Sequence, residues 1–327
     1  MEGPLLLDDG VFDEIYVPEK LVAREGQIKE IARSLSPAKN GKAIRNLFIH
    51  GPPGVGKTLV CKWILNEHFP KQFVYINCWS KRTSHKVMEQ IVQKLGRMVN
   101  GRESTSELIS KFEQVSKKLI VCLDEADHLD DMDILYILAR NSCGIILISN
   151  DSGTIARMDP RVRSSLLLNE VEFKQYTHDE VYEILKERAN YGLQPGAYDN
   201  AALLAIAKMS AGDARIALQT LRAAAKDAET KSMETITLEE IKNAIKFARK
   251  YRLSYLLGKL NEHQRTIYEL LKKNGRMESG KLFLEYCKVT DDHVVDRGYR
   301  NHMRRMEELG LVKSEGSGRW KKYQVVM

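Results

Sequence analysis

The sequence lacks several features that would place it in a membrane or outside the cell. It has no run of about 20 apolar residues, the length that a membrane-spanning helix requires. Its first segment, MEGPLLLDDGVFDE, is acidic and holds only three consecutive leucines, so we expect no secretory signal. Its five cysteines are scattered without a CxxC pair, which favours free thiols over disulfides or zinc. These absences predict a protein of the reducing cytoplasm.

Length and charge indicate what the chain can build and bind. Its 327 residues, 43% of them hydrophobic, are enough for two or three domains with their own cores. The net charge of +7 and the pI of about 9.0 are compatible with a nucleic-acid partner. The charge is uneven, because residues 297–327 hold eight basic and three acidic side chains. Most of the excess positive charge therefore lies at the C-terminal end.

The stretch GPPGVGKT, residues 51–58, has the composition and order of a phosphate-binding loop. Its glycines allow a tight turn whose N–H groups face phosphate oxygens. Lys57 would reach the β and γ phosphates, and the hydroxyl of Thr58 would be a Mg²⁺ ligand. The apolar run NLFIH precedes the loop and a helical pattern follows from Lys57, as such a loop requires. We therefore predict a site for ATP or ADP with Mg²⁺.

The carboxylates that complete such a site follow a second apolar run. Residues 119–123 are continuously apolar, as in a strand covered on both faces, and Asp124 and Glu125 come next. We predict that Asp124 holds Mg²⁺ and that Glu125 polarises the attacking water. A third run, GIILISND, leads to Asn150, whose amide could orient the same water. Acidic pairs also occur at ordinary helix starts, but this one lies in a chain that already has a phosphate loop.

The order of the apolar runs predicts the fold. Up to about residue 173, short strands alternate with helical stretches, which is typical of an α/β fold with a parallel sheet between helices. Lys57, Asp124 and Asn150 follow three of these strands, so they should meet at the carboxyl edge of the sheet. From about residue 174 only helical patterns follow, as far as about residue 258. The predicted domains are residues 1–173, 174–258 and 259–327.

The last of these domains has the pattern of a winged helix, which is three helices followed by a two-stranded hairpin. Arginines stud its third helix, about residues 291–309, and the hairpin turn contains GRWKKY at 318–323. Cations and aromatics at a hairpin turn suit contact with DNA phosphates and grooves. A protein-binding winged helix with merely solvated charges is the alternative. The predicted DNA-binding residues are Arg297, Arg300, Arg304, Arg319, Lys321 and Lys322.

Together these features resemble an AAA+ ATPase of the archaeal origin-recognition/cell-division-cycle (Orc/Cdc6-type) replication initiator family. The likeness extends over nearly the whole chain in the family's order. It is carried by YVPEKLVAREGQIKEIARSL before the phosphate loop, by DPRVRSSL, by GDARIALQ, and by EELGLV with its basic wing. The resemblance implies an AAA+ nucleotide-binding domain, a helical lid and a C-terminal winged helix. It also implies that ATP binding and slow hydrolysis act as a switch for helicase loading at origins.

The resemblance assigns roles to further residues. Asn150 would be sensor 1, and Arg215 would be sensor 2, reaching from the lid to the γ phosphate. The catalytic residues would then be Lys57, Glu125, Asn150 and Arg215. The residues predicted to contact the nucleotide are Val17, Pro18, Arg24, Gly51, Pro52, Pro53, Gly54, Val55, Gly56, Lys57, Thr58, Leu59, Tyr182 and Arg215, with Ile184 as the alternative to Tyr182. A helical insertion at residues 80–108 would add a DNA contact, and Arg161 or Arg163 could act in trans on a neighbouring copy.

Two other classes of AAA+ protein fit parts of the pattern. A Holliday-junction branch-migration motor also joins an AAA+ core to a winged helix, but its sensor-1 strand usually ends in a threonine-rich turn, whereas this one ends in ISND. A clamp-loader-type subunit would end in a helical collar, which the predicted wing argues against. The partners expected of the initiator are double-stranded origin DNA, the replicative helicase and other initiator copies, in the cytoplasm at the nucleoid.

Overall fold

The structure, a computed structural model, describes residues 4–40, 42–114, 119–258, 260–290, 294–316 and 321–326. A parallel sheet of five strands, in the order β2-β3-β4-β1-β5, forms the centre of the first part. The strands are β1 (Leu47–His50), β2 (Phe73–Asn77), β3 (Ile120–Asp124), β4 (Gly144–Ser149) and β5 (Asn169–Glu172). All five lie before residue 173, where the sequence predicted strands that alternate with helices, so the α/β fold class is confirmed. The three central strands are buried at every residue because helices cover both faces of the sheet.

Helices cover the two faces of this sheet and form two apolar cores with it. They are α1 (Glu25–Lys39), α2 (Lys57–His68), α3 (Ser84–Lys94), α4 (Thr105–Glu113), α5 (Asp133–Arg140) and α6 (Pro160–Leu166). One core joins α1 and α2 to the helices that follow β5 in the chain. The other core joins α3, α4 and α5. Within the described residues, none of the helices is both long and apolar enough to span a membrane.

Four helices form the predicted lid. They are α7 (His178–Gly192), α8 (Asn200–Met209), α9 (Ala214–Thr230) and α10 (Leu238–Gly258). The hydroxyl of Thr177 accepts from the N–H of Glu180 at 3.2 Å, and the carboxylate of Glu180 accepts from the N–H of Thr177. These two hydrogen bonds fix the start of α7. The N-terminal segment packs on these helices, since Leu6 pairs with Leu193 and Arg222 binds Asp9. Residues that the sequence pattern assigned to the first domain thus contact the lid.

The C-terminal region contains three helices and a small antiparallel sheet of order β6-β8-β7. The helices are α11 (Glu262–Asn274), α12 (Ser279–Val289) and α13 (Asp296–Glu308), and the strands are β6 (Met277–Glu278), β7 (Val312–Glu315) and β8 (Lys322–Val325). The predicted helices and hairpin are present, and β6 adds a third strand that the sequence pattern did not indicate. The third helix begins at Asp296, after Val295, which has extended backbone angles. Tyr268, Tyr286 and Tyr299 form the centre of this core.

Candidate nucleotide-binding site

A cleft of about 340 Å³ lies at the carboxyl edge of the parallel sheet, between the phosphate loop, the N-terminal segment and the lid. Its lining includes every residue predicted to contact nucleotide except Gly51, Pro52 and Tyr182. Ile184, the alternative to Tyr182, does line the cleft, whereas the hydroxyl of Tyr182 donates to Asn200 Oδ1 at 3.0 Å. The sheet edge thus brings together residues that lie as far apart in sequence as Val17 and Arg215.

The phosphate loop has the backbone that its glycines predict. Gly54 and Gly56 have φ angles of +79° and +87°, in the region that favours glycine. The loop leads directly into α2, which begins at Lys57, so the positive end of the helix dipole faces the cleft. A turn of this kind, followed by a helix N-terminus, is suited to hold an anion.

Lys57 is buried within the loop, and its charge is held by three oxygens. Its Nζ donates to the carbonyl oxygens of Gly51 at 2.7 Å and Pro52 at 2.8 Å, and to Asn150 Oδ1 at 2.9 Å. Burial lowers the pKa of Lys57 from 10.5 to about 8, although nearby carboxylates such as Asp124 oppose the shift. The predicted phosphate-binding lysine and the predicted sensor-1 amide are therefore in direct contact.

Asp124 ends β3, and one of its oxygens accepts two hydroxyl hydrogen bonds. Thr58 Oγ1 and the hydroxyl of Tyr75 each donate to Asp124 Oδ2 at 2.7 Å. The prediction from the sequence missed Tyr75. This residue is partly buried on β2, the strand that pairs with the strand of Asp124, and only the structure reveals that pairing. Glu125 also lines the cleft, in a left-handed backbone conformation with φ +54° and ψ +42°.

The donor set at this edge fits a magnesium ion that is held partly by substrate. A hydroxyl and a carboxylate, from Thr58 and Asp124, are hard oxygen ligands of the kind Mg²⁺ prefers. The described residues contain no group of three or more His, Cys, Asp or Glu side chains that could hold a metal. A site with one or two protein oxygens is the usual arrangement when nucleotide phosphates supply the other ligands.

Arg24 lines the cleft, but its guanidinium group contacts protein atoms. Its Nε donates to the carbonyl oxygen of Val55 at 3.2 Å, and Nη2 donates to that of Lys174 at 2.5 Å. The same group lies 3.8 Å from the centroid of the Tyr176 ring. In this geometry Arg24 ties the phosphate loop to the chain segment after β5.

The lid contacts the phosphate loop through the first turn of α9. The N–H of Ala214 donates to the carbonyl oxygen of Gly54 at 3.2 Å, and Asp213 caps the helix by accepting from the N–H of Ile216 at 3.0 Å. Arg215, the predicted sensor 2, lies in the cleft lining, and its Nε is 3.1 Å from Glu14 Oε1. Lid, loop and N-terminal segment therefore meet within one helical turn.

Most of the predicted DNA-binding cations lie on the surface of the C-terminal region. Arg297, Arg300 and Arg304 are exposed along α13, and Arg300 binds Asp296 at 2.6 Å. On the hairpin, Lys321 lies 3.4 Å from Glu307 and Lys322 lies 3.4 Å from Glu278. Arg319 is outside the described residues.

The predicted insertion contains α3, α4 and an exposed loop between them. All five cysteines are free thiols, as expected.

Comparison with known proteins identifies the family. Residues 42–152 match the AAA domain family, and residues 182–246 match the Cdc6 AAA+ ATPase-type lid domain. ORC1-type DNA replication protein 1 of Sulfurisphaera tokodaii is 31% identical over 329 residues, which cover 91% of this chain and 83% of that protein. The chain belongs to the ORC1-type DNA replication protein family. The resemblance found in the sequence is therefore confirmed, and with it membership of the AAA+ ATPases.

Solved structures agree with this assignment. The Aeropyrum pernix ORC1 protein, solved in complex with DNA, has 27% sequence identity and a TM-score of 0.75, covering 99% of this chain and 94% of its own. The Thermotoga maritima RuvB Holliday junction branch migration motor has a TM-score of 0.59 at 18% identity, covering 94% of this chain and 95% of its own. The likeness to the motor extends to the fold alone, so the initiator family is favoured over the motor alternative.

Proposed function

We propose that this ORC1-type protein is an ATP-dependent switch that binds double-stranded origin DNA and prepares helicase loading. The observation that carries the proposal is the convergence of Lys57, Asp124, Asn150 and Arg215 on one cleft. Binding of ATP with Mg²⁺ would favour one arrangement of lid and sheet, and slow hydrolysis to ADP and phosphate would end it. The replicative helicase and further copies of the initiator are the proposed partners, together with DNA.

In the proposed hydrolysis, each residue of the cleft acts on a different part of the reaction. Lys57 neutralises the β and γ phosphates, and Arg215 approaches the terminal phosphate from the lid. Glu125 accepts a proton from the attacking water, and the amide of Asn150 orients that water. Thr58 and Asp124 would hold the magnesium ion, which would neutralise charge that develops on the phosphate oxygens when bound.

Two substitutions test this division of roles. Lys57→Ala should weaken ATP binding, because it removes the cation that faces the phosphates. Glu125→Gln should retain binding and lose hydrolysis, since an amide cannot accept the water's proton. Glu187→Gln is the matched control, because Glu187 also lines the cleft but lies outside the proposed catalytic set. ATP affinity and single-turnover hydrolysis should be measured for all three. Wild-type hydrolysis by the Glu125→Gln protein would refute the assignment.

The proposed DNA contact uses α13 and the hairpin. The helix would enter the major groove with Arg297, Arg300 and Arg304, as recognition helices do. The hairpin would follow the backbone or enter the minor groove with Lys321, Lys322 and the undescribed Arg319. The complex of the Aeropyrum pernix ORC1 protein with DNA supports a DNA partner for a chain of this fold. The insertion between β2 and β3 is a second proposed contact.

A salt series distinguishes DNA contacts from general positive charge. A variant with alanine at residues 297, 300 and 304 should bind origin DNA more weakly, and the slope of log K against log salt should fall by about one per lost phosphate contact. Alanine at Lys208, Lys242 and Lys246, exposed lysines of the lid, removes the same charge and should leave the slope unchanged. An α13 variant with the same affinity and slope as the wild type would show that α13 does not contact DNA.

A further inference from the structure

One arginine of α13 faces the ATPase region and not the solvent. Arg305 is about one-fifth exposed, and its Nη2 donates to Asp127 Oδ2 at 2.7 Å. Its neighbour Arg304 is exposed. The helix that carries the proposed DNA-binding cations thus also carries a partly buried cation that is bound to another part of the protein.

Asp127 links this cation to the proposed hydrolysis machinery. It lies in the short 3-10 helix Ala126–His128, directly after Glu125, and its side chain is 1% exposed. Its other oxygen, Oδ1, accepts from Ser149 Oγ at 3.1 Å. Ser149 is the last residue of β4 and precedes Asn150. The carboxylate therefore connects the segment of Glu125, the segment of Asn150 and α13.

The charge of Asp127 depends on this contact. Burial opposes the carboxylate form, but Arg305, His128 and a backbone hydrogen bond together more than offset it, so the pKa of Asp127 lies below its ordinary value. If Arg305 is lost, the buried charge of Asp127 is left without its partner. An unpaired buried charge strongly destabilises the conformation in which it is buried. Glu125 has a left-handed backbone, a conformation that persists in non-glycine residues only where the surroundings fix it.

We propose that Arg305 is a positioning residue for ATP hydrolysis: acting through Asp127, it fixes the segments of Glu125 and Asn150 and couples the nucleotide site to α13. The inference rests on the proposed function. Glu125 and Asn150 act on the attacking water, whereas Lys57 and its loop bind the phosphates. Displacement of Arg305 should therefore change turnover more than nucleotide affinity. Coupling between two binding sites is reciprocal in free energy. A nucleotide that favours the arrangement in which Arg305 binds Asp127 should therefore also change the affinity of α13 for DNA.

The test compares Arg305→Ala with Lys273→Ala. The second variant also removes one positive charge from the C-terminal region, at an exposed residue of α11. We expect Arg305→Ala to lower the single-turnover rate of ATP hydrolysis by about tenfold, within the usual range of coupling between sites, and to leave the Kd for ATP nearly unchanged. Lys273→Ala should alter neither. Adding Asp127→Asn to Arg305→Ala should restore much of the rate, because the amide keeps an acceptor for Ser149 and removes the buried charge.

A second measurement does not depend on hydrolysis. Hydrogen–deuterium exchange of the peptide that covers residues 120–131 should be faster in Arg305→Ala, unchanged in Lys273→Ala and restored in Arg305→Ala/Asp127→Asn. Unchanged exchange in Arg305→Ala, or equal loss of rate and ATP affinity without recovery in the double variant, would overturn the inference. If wild-type protein does not hydrolyse ATP, the proposed function fails, and the exchange pattern alone decides whether Arg305 fixes this segment.

Discussion

Gly54 offers a direct test of the contact between the phosphate loop and the lid. Its φ is +79°, and a Cβ at this position would overlap the carboxylate of Asp213. That carboxylate caps α9 by accepting from the N–H of Ile216 at 3.0 Å. The N–H of Ala214 also donates to the carbonyl oxygen of Gly54 at 3.2 Å. The substitution Gly54→Ala must therefore displace the start of the helix that carries Arg215.

We expect Gly54→Ala to lower the free energy of unfolding by about 2–3 kcal/mol. A non-glycine residue in the left-handed region costs about 1–2 kcal/mol, and disruption of the N-cap of α9 adds about 1 kcal/mol. Gly101 is the matched control, because its φ is +74° and no atom lies within 4 Å of the position of its Cβ. Gly101→Ala should therefore cost only the backbone part, about 1–2 kcal/mol.

Urea unfolding of nucleotide-free protein, followed by circular dichroism, measures both costs. In an Asp213→Ala background the cap is already lost, so Gly54→Ala should cost only about as much as Gly101→Ala. The resulting coupling energy between Gly54 and Asp213 is about 1 kcal/mol. Equal destabilisation by Gly54→Ala and Gly101→Ala, with full additivity of Gly54→Ala and Asp213→Ala, would refute the contact between loop and lid.

Two further predictions concern the groups around the phosphates. Because burial lowers the pKa of Lys57 to about 8, the unfolded chain binds more protons than the folded protein between about pH 8 and 10.5, and nucleotide-free protein should gain stability across that range. ADP affinity should fall over the same pH range. Thermal melts and calorimetric titrations of the wild type measure these two trends, and the Lys57→Met variant should show neither. Tyr75→Phe removes one hydroxyl donor from Asp124 Oδ2, so it should raise the Mg²⁺ concentration needed for ATP binding by about 10–100-fold. Metal-free ADP binding should not change, and equal loss of both would contradict the role of Tyr75.

The sequence alone was sufficient for features that depend on neighbouring residues. The three central strands of the large sheet appear as apolar runs because a strand covered on both faces excludes polar side chains. The start of α2 at Lys57 follows from the glycines and the helical pattern after them. Lys57, Asp124 and Asn150 could be placed together since parallel strands end at one edge. In these cases a local pattern and a general rule of topology determine the position.

Features that depend on pairs of distant residues were missed. Tyr75 and Asp124 are 49 residues apart, and Asp127 and Arg305 are 178 residues apart. Periodicity identifies a buried face but not the residue opposite it, so neither contact had a signal in the pattern. The attachment of the N-terminal segment to the lid was missed for the same reason, because Asp9 in an acidic stretch of sequence resembles an ordinary solvated charge.

The bonds that hold Lys57 and Arg215 indicate how nucleotide binding would prepare hydrolysis. Lys57 is bonded to Asn150, and Arg215 is paired with Glu14. On the proposed assignment, both cations exchange these partners for phosphate oxygens. Arg215 and Glu14 are each about half exposed, so separating them costs little. The exchange at Lys57 has a second effect, because it releases the amide that is proposed to orient the attacking water. Phosphate binding would then also complete the arrangement of the residues that act on the attacking water. ATP bound in the closed cleft would therefore proceed to slow hydrolysis.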